Sequence, residues 1–373
     1  MASVTDNDSA LRRNALNAGP AARPTTPCTH LIRAADALFA PAELARLSPH
    51  TRAGDSPLAR HEAIAYDFLA KGGKRSRPLI TLAAYDALAG GGPIPDPVKK
   101  AALAIEAFHK ASLVHDDIED DDAYRYGAPT LHRTHGIGTA INVGDYLIGL
   151  GYRLVSRERK VLGAETAADI LDKLADAHLK LSEGQGAELL WRDAPDKALT
   201  PPDALKIYAL KTSPAFEAAL YSGVRLAGPA DAYEKMIADF SRNLGVAFQI
   251  LNDLNDWAED GHNKLIAGQD VLAARPTLLL ALALESGDKN ELLSLISAAR
   301  EHGSPDDTAA AETVGRVRAI YRKAKVFSKS AALVEKYRAR AEATAAAVEP
   351  AAFRDLLYYL VDSVLEKPKS ETR

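Results

Sequence analysis

Asp116, Asp117 and Asp120 form a D-D-x-x-D pattern in which Asp116 and Asp120, one helical turn apart, project from the same face. Two carboxylates so placed can grip a hard cation. Gln249-Ile-Leu-Asn-Asp-Leu-Asn-Asp256 repeats the device, with Asn252 and Asp256 again one turn apart and Asp253 beside them. Two helices that each offer oxygen ligands from one face could hold several Mg²⁺ ions between them, each ion keeping waters and bridging to substrate phosphates. A single charge run is more commonly a solvated helix face. Here each cluster ends an apolar stretch, Ala111 to Val114 and Val246 to Leu251, so the polar groups crown an apolar interior. That arrangement suits a molecule with an anionic head and a hydrocarbon tail: metal ions draw off diphosphate while an apolar cavity shelters the resulting cation.

A third constellation is Lys71-Gly-Gly-Lys-Arg-Ser-Arg-Pro78, where two glycines free the backbone and Lys71, Lys74, Arg75 and Arg77 crowd a turn before a helix. Such a corner suits a phosphate. His109 lies seven residues before Asp116, almost on the same helical face, so both can look into one cavity.

The elements that must position these groups read as helices throughout. Apolar residues recur at helical spacing from Leu31 to about Leu47, and helices are predicted for Ser56 to Leu69, Leu79 to Ala89 and the segment carrying the first aspartates. Further helices are predicted at about Gly138 to Leu154, Ala164 to Leu190, Pro202 to Gly223 and Ala230 to Trp257. Toward the C-terminus come Thr277 to Leu284, Leu292 to Ala299, a long segment from about Asp306 to Val348, and Ala351 to Leu365. No strand alternation stands out. The expectation is an all-α, single-domain helical bundle around a central apolar cavity, spanning residues 30–373 behind a disordered tail of residues 1–29.

Composition narrows the remaining classes. The 373 residues are 47% hydrophobic and 26% charged, an ordinary globular mixture. With 46 basic and 50 acidic residues the formal charge is -4, which gives no global field for nucleic acid. Cys28 is the only cysteine, excluding an intramolecular disulfide and a zinc–thiolate site. The longest apolar run, Leu278 to Leu284, is far shorter than the ~20 residues that span a bilayer. A cytoplasmic protein without stable membrane insertion is expected.

In their order along the chain these motifs resemble the all-trans isoprenyl diphosphate synthase (polyprenyl synthetase) family. The resemblance rests on Gly72-Gly-Lys-Arg-Ser-Arg-Pro78, Glu106 to His132, Gly184-Gln185, Lys211-Thr212, Phe248-Gln249 with the second cluster, and Lys264 before Gly268-Gln-Asp270. It implies the isoprenoid synthase type of helical fold, a homodimer, and a Mg²⁺-dependent prenyltransferase that joins an allylic diphosphate to isopentenyl diphosphate, with three ions around the bound diphosphate. By the same resemblance Asp116 and Asp120, with Asp117 adjacent, bind metal and the allylic diphosphate, and Asn252 and Asp256 occupy the second metal motif. Arg125, Lys211 and Lys264 clamp the allylic diphosphate. Lys74, Arg77 and His109, in the corner that Arg75 shares, take isopentenyl diphosphate, and Thr212 and Gln249 line the reacting region. Ala111 and Ser112 are small and lie a turn below the first aspartate, so the upper cavity is open; Phe108, a turn deeper, sets the floor, and a product of roughly C20 or longer is expected.

Two positions depart from the family pattern. Tyr126 follows Arg125 where a second arginine is usual, and Asn252 replaces an aspartate. Tyrosine offers one neutral donor where arginine offers a charged fork. These changes leave two alternatives beside condensation: a terpene cyclase-like enzyme that ionises an allylic diphosphate without a second substrate, and a non-catalytic subunit of a heteromeric synthase.

Overall fold

The computed structural model describes residues 29–48, 56–194, 196–257, 268–286, 289–302 and 308–366. Nine helices build the frame: α1 (Pro57–Ala70), α2 (Ser76–Ala89), α3 (Asp96–Glu119), α4 (Ile137–Ser156), α5 (Ala164–Asp193), α6 (Pro201–Ala227), α7 (Asp231–Asp256), α8 (Val326–Ala346) and α9 (Ala351–Val364), with two more of comparable length, Lys289–His302 and Thr308–Lys323, packed beside them. Shorter helices connect them. The fold is all-α, and among the described residues no helix is long and apolar enough to cross a membrane.

Local chemistry sets the helix starts. Ser56 accepts a hydrogen bond from the Ala59 amide at 3.2 Å to open α1, and Thr200 with Asp203 forms a reciprocal capping box ahead of Pro201 and α6. The centre of the bundle is α6, packed against α2, α3, α5 and α7. Close approach there depends on two glycines. A Cβ on Gly184 of α5 would stand 2.8 Å from the Leu210 Cβ, and one on Gly245 of α7 would stand 2.6 Å from the Ser213 Oγ. Both contacts flank Lys211 and Thr212, so the glycines bring α5 and α7 up against the part of α6 that carries them.

Four features differ from the sequence expectation. The first predicted helix divides into Thr29–Ala37 and Pro41–Ala45, because Pro41 cannot continue the preceding hydrogen-bond ladder. The long C-terminal segment divides at Lys325, whose φ of 56° ends one helix before α8 begins. A hairpin appears where none was expected: β1 (Tyr124–Arg125) pairs antiparallel with β2 (Ala128–Pro129). Its two-residue turn, Tyr126-Gly127, has φ of 54° and 75°, the positive pair that a primed hairpin turn requires. The strands are too short to show alternation in sequence. Finally, the buried apolar side chains form two clusters, one among α1 to α7, α9 and the C-terminal end of α8, the other around the N-terminal half of α8, Leu278–Leu284 and the neighbouring helices, with Tyr337 packed against both.

Candidate active site

A cavity of about 520 Å³ runs down the inside of α3, between it and helices α5, α6 and α7. Asp116, Asp120, Arg125 and Lys211 stand at its polar end, and Phe108, Leu174, Ala177 and Leu181 line its apolar end. The polar and apolar halves follow from one helix, since Phe108, Ser112 and Asp116 recur every four residues on the same face of α3.

The carboxylates at the polar end are crowded. Burial pushes Asp116 up to about 7; the nearby charges of Asp120 and Glu119 add to the rise, and those of Lys211 and Arg125 oppose it. Asp116 makes no side-chain hydrogen bond or ion pair with a described residue. Asp120 is held from two sides, by Arg192 Nη1 at 2.8 Å and by Arg275 Nη2 at 2.9 Å. Arg275 also reaches Asp270 at 3.2 Å. Asp117 turns away from the cavity, is buried, and accepts two hydrogen bonds from Arg125, one of them from Nε at 2.7 Å. Asp117 therefore orients Arg125, whose Nη2 also meets Asp122 at 3.1 Å.

Across the cavity Lys211 pairs with Glu188 at 2.6 Å, and the Thr212 hydroxyl donates to the Gln249 side-chain carbonyl at 3.2 Å. The second acidic motif presents Asp253 to the cavity, where it accepts a hydrogen bond from the Tyr208 hydroxyl. Burial, reinforced by the charge of Asp270, holds Asp253 well above the usual carboxylate range. Asn252 and Asp256 are not among the lining residues. Asp256 is buried and accepts from the Asp270 amide at 3.2 Å, which fastens α7 to the segment after Gly268.

At the basic corner Arg77 and His109 face the cavity. The buried Arg77 Nε has no hydrogen-bond partner among the described residues. Burial, together with the charges of Arg77, Lys110 and Arg125, drives His109 well below the ordinary histidine value, so its imidazole is neutral near pH 7. Arg75 does not reach the cavity: it pairs with Asp36 at 3.1 Å, donates to the Ala70 carbonyl at 3.0 Å and stacks over Phe39. Lys74 is exposed and also absent from the lining. Ser112 lines the cavity, donating to the His109 carbonyl at 2.8 Å, whereas Ala111 is wholly buried in the core. Phe108 packs edge-on against Tyr152 and His178, with ring centroids 4.8 and 5.9 Å away. Lys264 lies outside the described residues.

Sequence reasoning missed Arg192, Asp270 and Arg275 as members of the site. A cation directly before Pro276-Thr277 and the apolar Leu278–Leu284 helix was the available signal for Arg275.

These residues fit a divalent cation. Asp116 is a cavity-facing carboxylate that no cation among the described residues binds, so its oxygens are open to an ion. Among the described residues no three acidic, histidine or cysteine side chains converge as a complete metal cage. An ion there would be held by one or two carboxylates, with water and substrate phosphate completing the shell.

A helical bundle with a charged rim over an apolar shaft defines a class that handles amphiphilic anions. The sequence profile of the polyprenyl synthetase family matches residues 59–314, and the chain belongs to that family. It is 33% identical over 239 residues to the geranylgeranyl diphosphate synthase of Sulfolobus acidocaldarius, covering 64% of this chain and 70% of that one. Identity to the geranylfarnesyl diphosphate synthase of Aeropyrum pernix is 31% over 303 residues, covering 80% and 91%. The crystal structure of a polyprenyl synthase from Caulobacter crescentus, complexed with calcium and isoprenyl diphosphate, superposes with a TM-score of 0.71 at 29% identity, covering 90% and 97%.

Proposed function

We propose that the protein is a trans-prenyltransferase that condenses an allylic diphosphate with isopentenyl diphosphate to a polyprenyl diphosphate of C20 or longer. The observation that carries this reading is the cavity itself, which joins Asp116, Asp120 and their surrounding cations to an apolar shaft lined by Phe108, Leu174 and Leu181. The relatives named above, whose products are polyprenyl diphosphates, favour condensation over cyclisation and over a non-catalytic subunit.

Arg125 and Lys211 hold the allylic diphosphate beside Asp116 and Asp120, while Arg77 and the neutral His109 hold the second diphosphate. Magnesium, when bound, supplies a Lewis acid that stabilises negative charge on the departing diphosphate. The allylic C–O bond breaks with its electron pair leaving on diphosphate. The π pair of isopentenyl diphosphate forms the new C–C bond, and loss of a proton to the released diphosphate restores a double bond. The shaft excludes water from the cation, and Thr212 and Gln249, bonded to each other, border the reacting carbons. Asp116 and Asp120 would hold metal from α3. From α7 Asp253 faces the same space, while Asn252 and Asp256 lie outside the cavity lining.

The catalytic domain in this reading is residues 30–373, behind a tail of residues 1–29. A cytoplasmic homodimer belongs to the same reading. The test is incubation of purified protein and Mg²⁺ with C10, C15 and C20 allylic diphosphates, with and without isopentenyl diphosphate, and mass spectrometry of the products. Elongated diphosphates are expected. Cyclic hydrocarbons or alcohols formed without isopentenyl diphosphate would replace condensation by cyclisation.

A further inference from the structure

One cation near the basic corner has no role in the reaction as described. Lys110, the residue after His109 on α3, is completely buried. Its ammonium donates to the carbonyls of Lys71 and Gly72, the latter at 3.4 Å, and to the Tyr126 hydroxyl oxygen at 3.0 Å. It also stands 4.1 Å from the centroid of the Tyr126 ring. No carboxylate among the described residues lies within ion-pair distance; Glu106, one turn earlier on α3, acts on it through space, as do Arg75 from the corner and Arg125 from the hairpin. An ammonium has three donors, and two carbonyls with one phenol oxygen use all three.

Tyr126 is held with equal definition. Its ring lies against Gly72, whose φ of 57° and lack of a side chain make room for it, because a Cβ there would overlap the ring. A Cβ on Gly73 would touch the hydroxyl at 3.4 Å. The hydroxyl accepts from Lys110, yet its own proton has no acceptor among the described residues, and the side of the residue away from Gly72 is open, leaving Tyr126 42% exposed. Arg77 interacts electrostatically with Tyr126 and carries the unpartnered Nε already noted. Two unassigned donors thus lie within electrostatic reach of each other, Arg77 in the cavity lining and Tyr126 beside it.

We propose that Lys110 and Tyr126 act as one anion donor, in which Lys110 polarises the Tyr126 hydroxyl from inside and the hydroxyl proton binds a phosphate oxygen of isopentenyl diphosphate beside Arg77. This rests on the prenyltransferase reading and deepens it. Tyr126 is the contact residue; Lys110 is a positioning residue that acts through it. A phenol alone is a neutral donor, but a buried ammonium on its oxygen draws electron density from the O–H and makes the outward bond charge-assisted. The charge that the usual arginine would carry at position 126 has been moved one layer inward, to position 110. Arginine at 126 would place a second cation against Lys110.

Steady-state kinetics with each substrate varied separately test this. In Tyr126→Phe, which keeps the ring on Gly72 and leaves Lys110 in place, the KM for isopentenyl diphosphate should rise about tenfold, the loss of one charge-assisted hydrogen bond. The KM for the allylic diphosphate and kcat should stay within roughly twofold, because binding to one substrate alone is affected. Lys110→Met should give the same split, and the double variant should be no worse than the single ones, because the residues work as a unit. Tyr126→Arg should bind isopentenyl diphosphate poorly beside Lys110 and recover when combined with Lys110→Thr. Unchanged KM in Tyr126→Phe, or an equal rise for both substrates, overturns the proposal while leaving the enzyme's function intact. If the wild-type protein makes no elongated product, the function itself fails and the proposal with it.

Discussion

In the proposed reading Ser112 and Phe108, which line the cavity, set how long a product it can hold, and the helix geometry gives the increments. Ser112 lies four residues below Asp116 and Phe108 eight, so the two mark successive turns along the shaft. An isoprene unit, four carbons along its main chain, lengthens the tail by about one helical turn, ~5.4 Å. Ser112→Phe should therefore lift the floor by one turn and shorten the main product by one C5 unit. Phe108→Ala should lower the floor toward Tyr152 and His178, the rings now packed on Phe108, and lengthen the product by about one unit. Truncating a core phenylalanine costs about 3–5 kcal/mol. Phe108 faces the cavity on one side, so its loss should fall below that range. The assay is mass spectrometry of products from a C10 or C15 primer and excess isopentenyl diphosphate, with thermal melting to confirm folding. If Ser112→Phe makes wild-type product lengths at a wild-type rate, the tail does not run along this face of α3 and the reasoning fails.

Other outcomes are equally specific. Asp120→Asn should reduce diphosphate release on the order of 10²-fold or more, by weakening both metal binding and the Arg192–Asp120–Arg275 bridge; retention of full activity would remove Asp120 from the site. Burial, with Arg75 and Arg125 nearby, lowers Lys110 to about 8, and Glu106 opposes the fall. The wild-type KM for isopentenyl diphosphate should rise as pH passes 8, while Tyr126→Phe shows no such inflection. The sign for stability is opposite: the folded-state value is below the ordinary lysine value of 10.5, so Lys110 weakens folding below pH 8 and this penalty fades between pH 8 and 10.5. Lys110→Met should thus gain less stability relative to wild type as pH rises through that window. Thr200→Ala removes the capping box of α6 and should cost about 1 kcal/mol in urea unfolding, with kcat unchanged.

The cavity face of α3 was legible because Phe108, Ser112 and Asp116 keep a four-residue period in a helix whose direction the sequence already implied. The pairing of Asp117 with Arg125 was not, since it depends on a hairpin of only two residues per strand. Likewise, spacing put Asn252 and Asp256 on a common face of α7 without indicating that Asp253 is the one turned inward. Helix rotation is decided by packing, here the contact of Gly245 with Ser213, and a local pattern of acids does not contain that partner. Arg75 shows the same limit: its neighbours in sequence made it a phosphate ligand, while Asp36 and Phe39, distant along the chain, claim its side chain. Lys264 and the tail before residue 29 lie outside the described residues.

Arg125 and Tyr126 are consecutive, yet they serve different partners. The first is anchored on Asp117 at the end of α3, and the second rests on Gly72 ahead of α2. In the proposed reading the hairpin is consequently a short lever between two anion sites. A ligand that draws Arg125 toward one site also shifts the backbone that carries Tyr126 at the other, and any free energy transmitted this way must act equally in both directions. In kinetic language, the stub of sheet between β1 and β2 gives the two substrates a mechanical route by which the occupancy of one can set the order of arrival of the other.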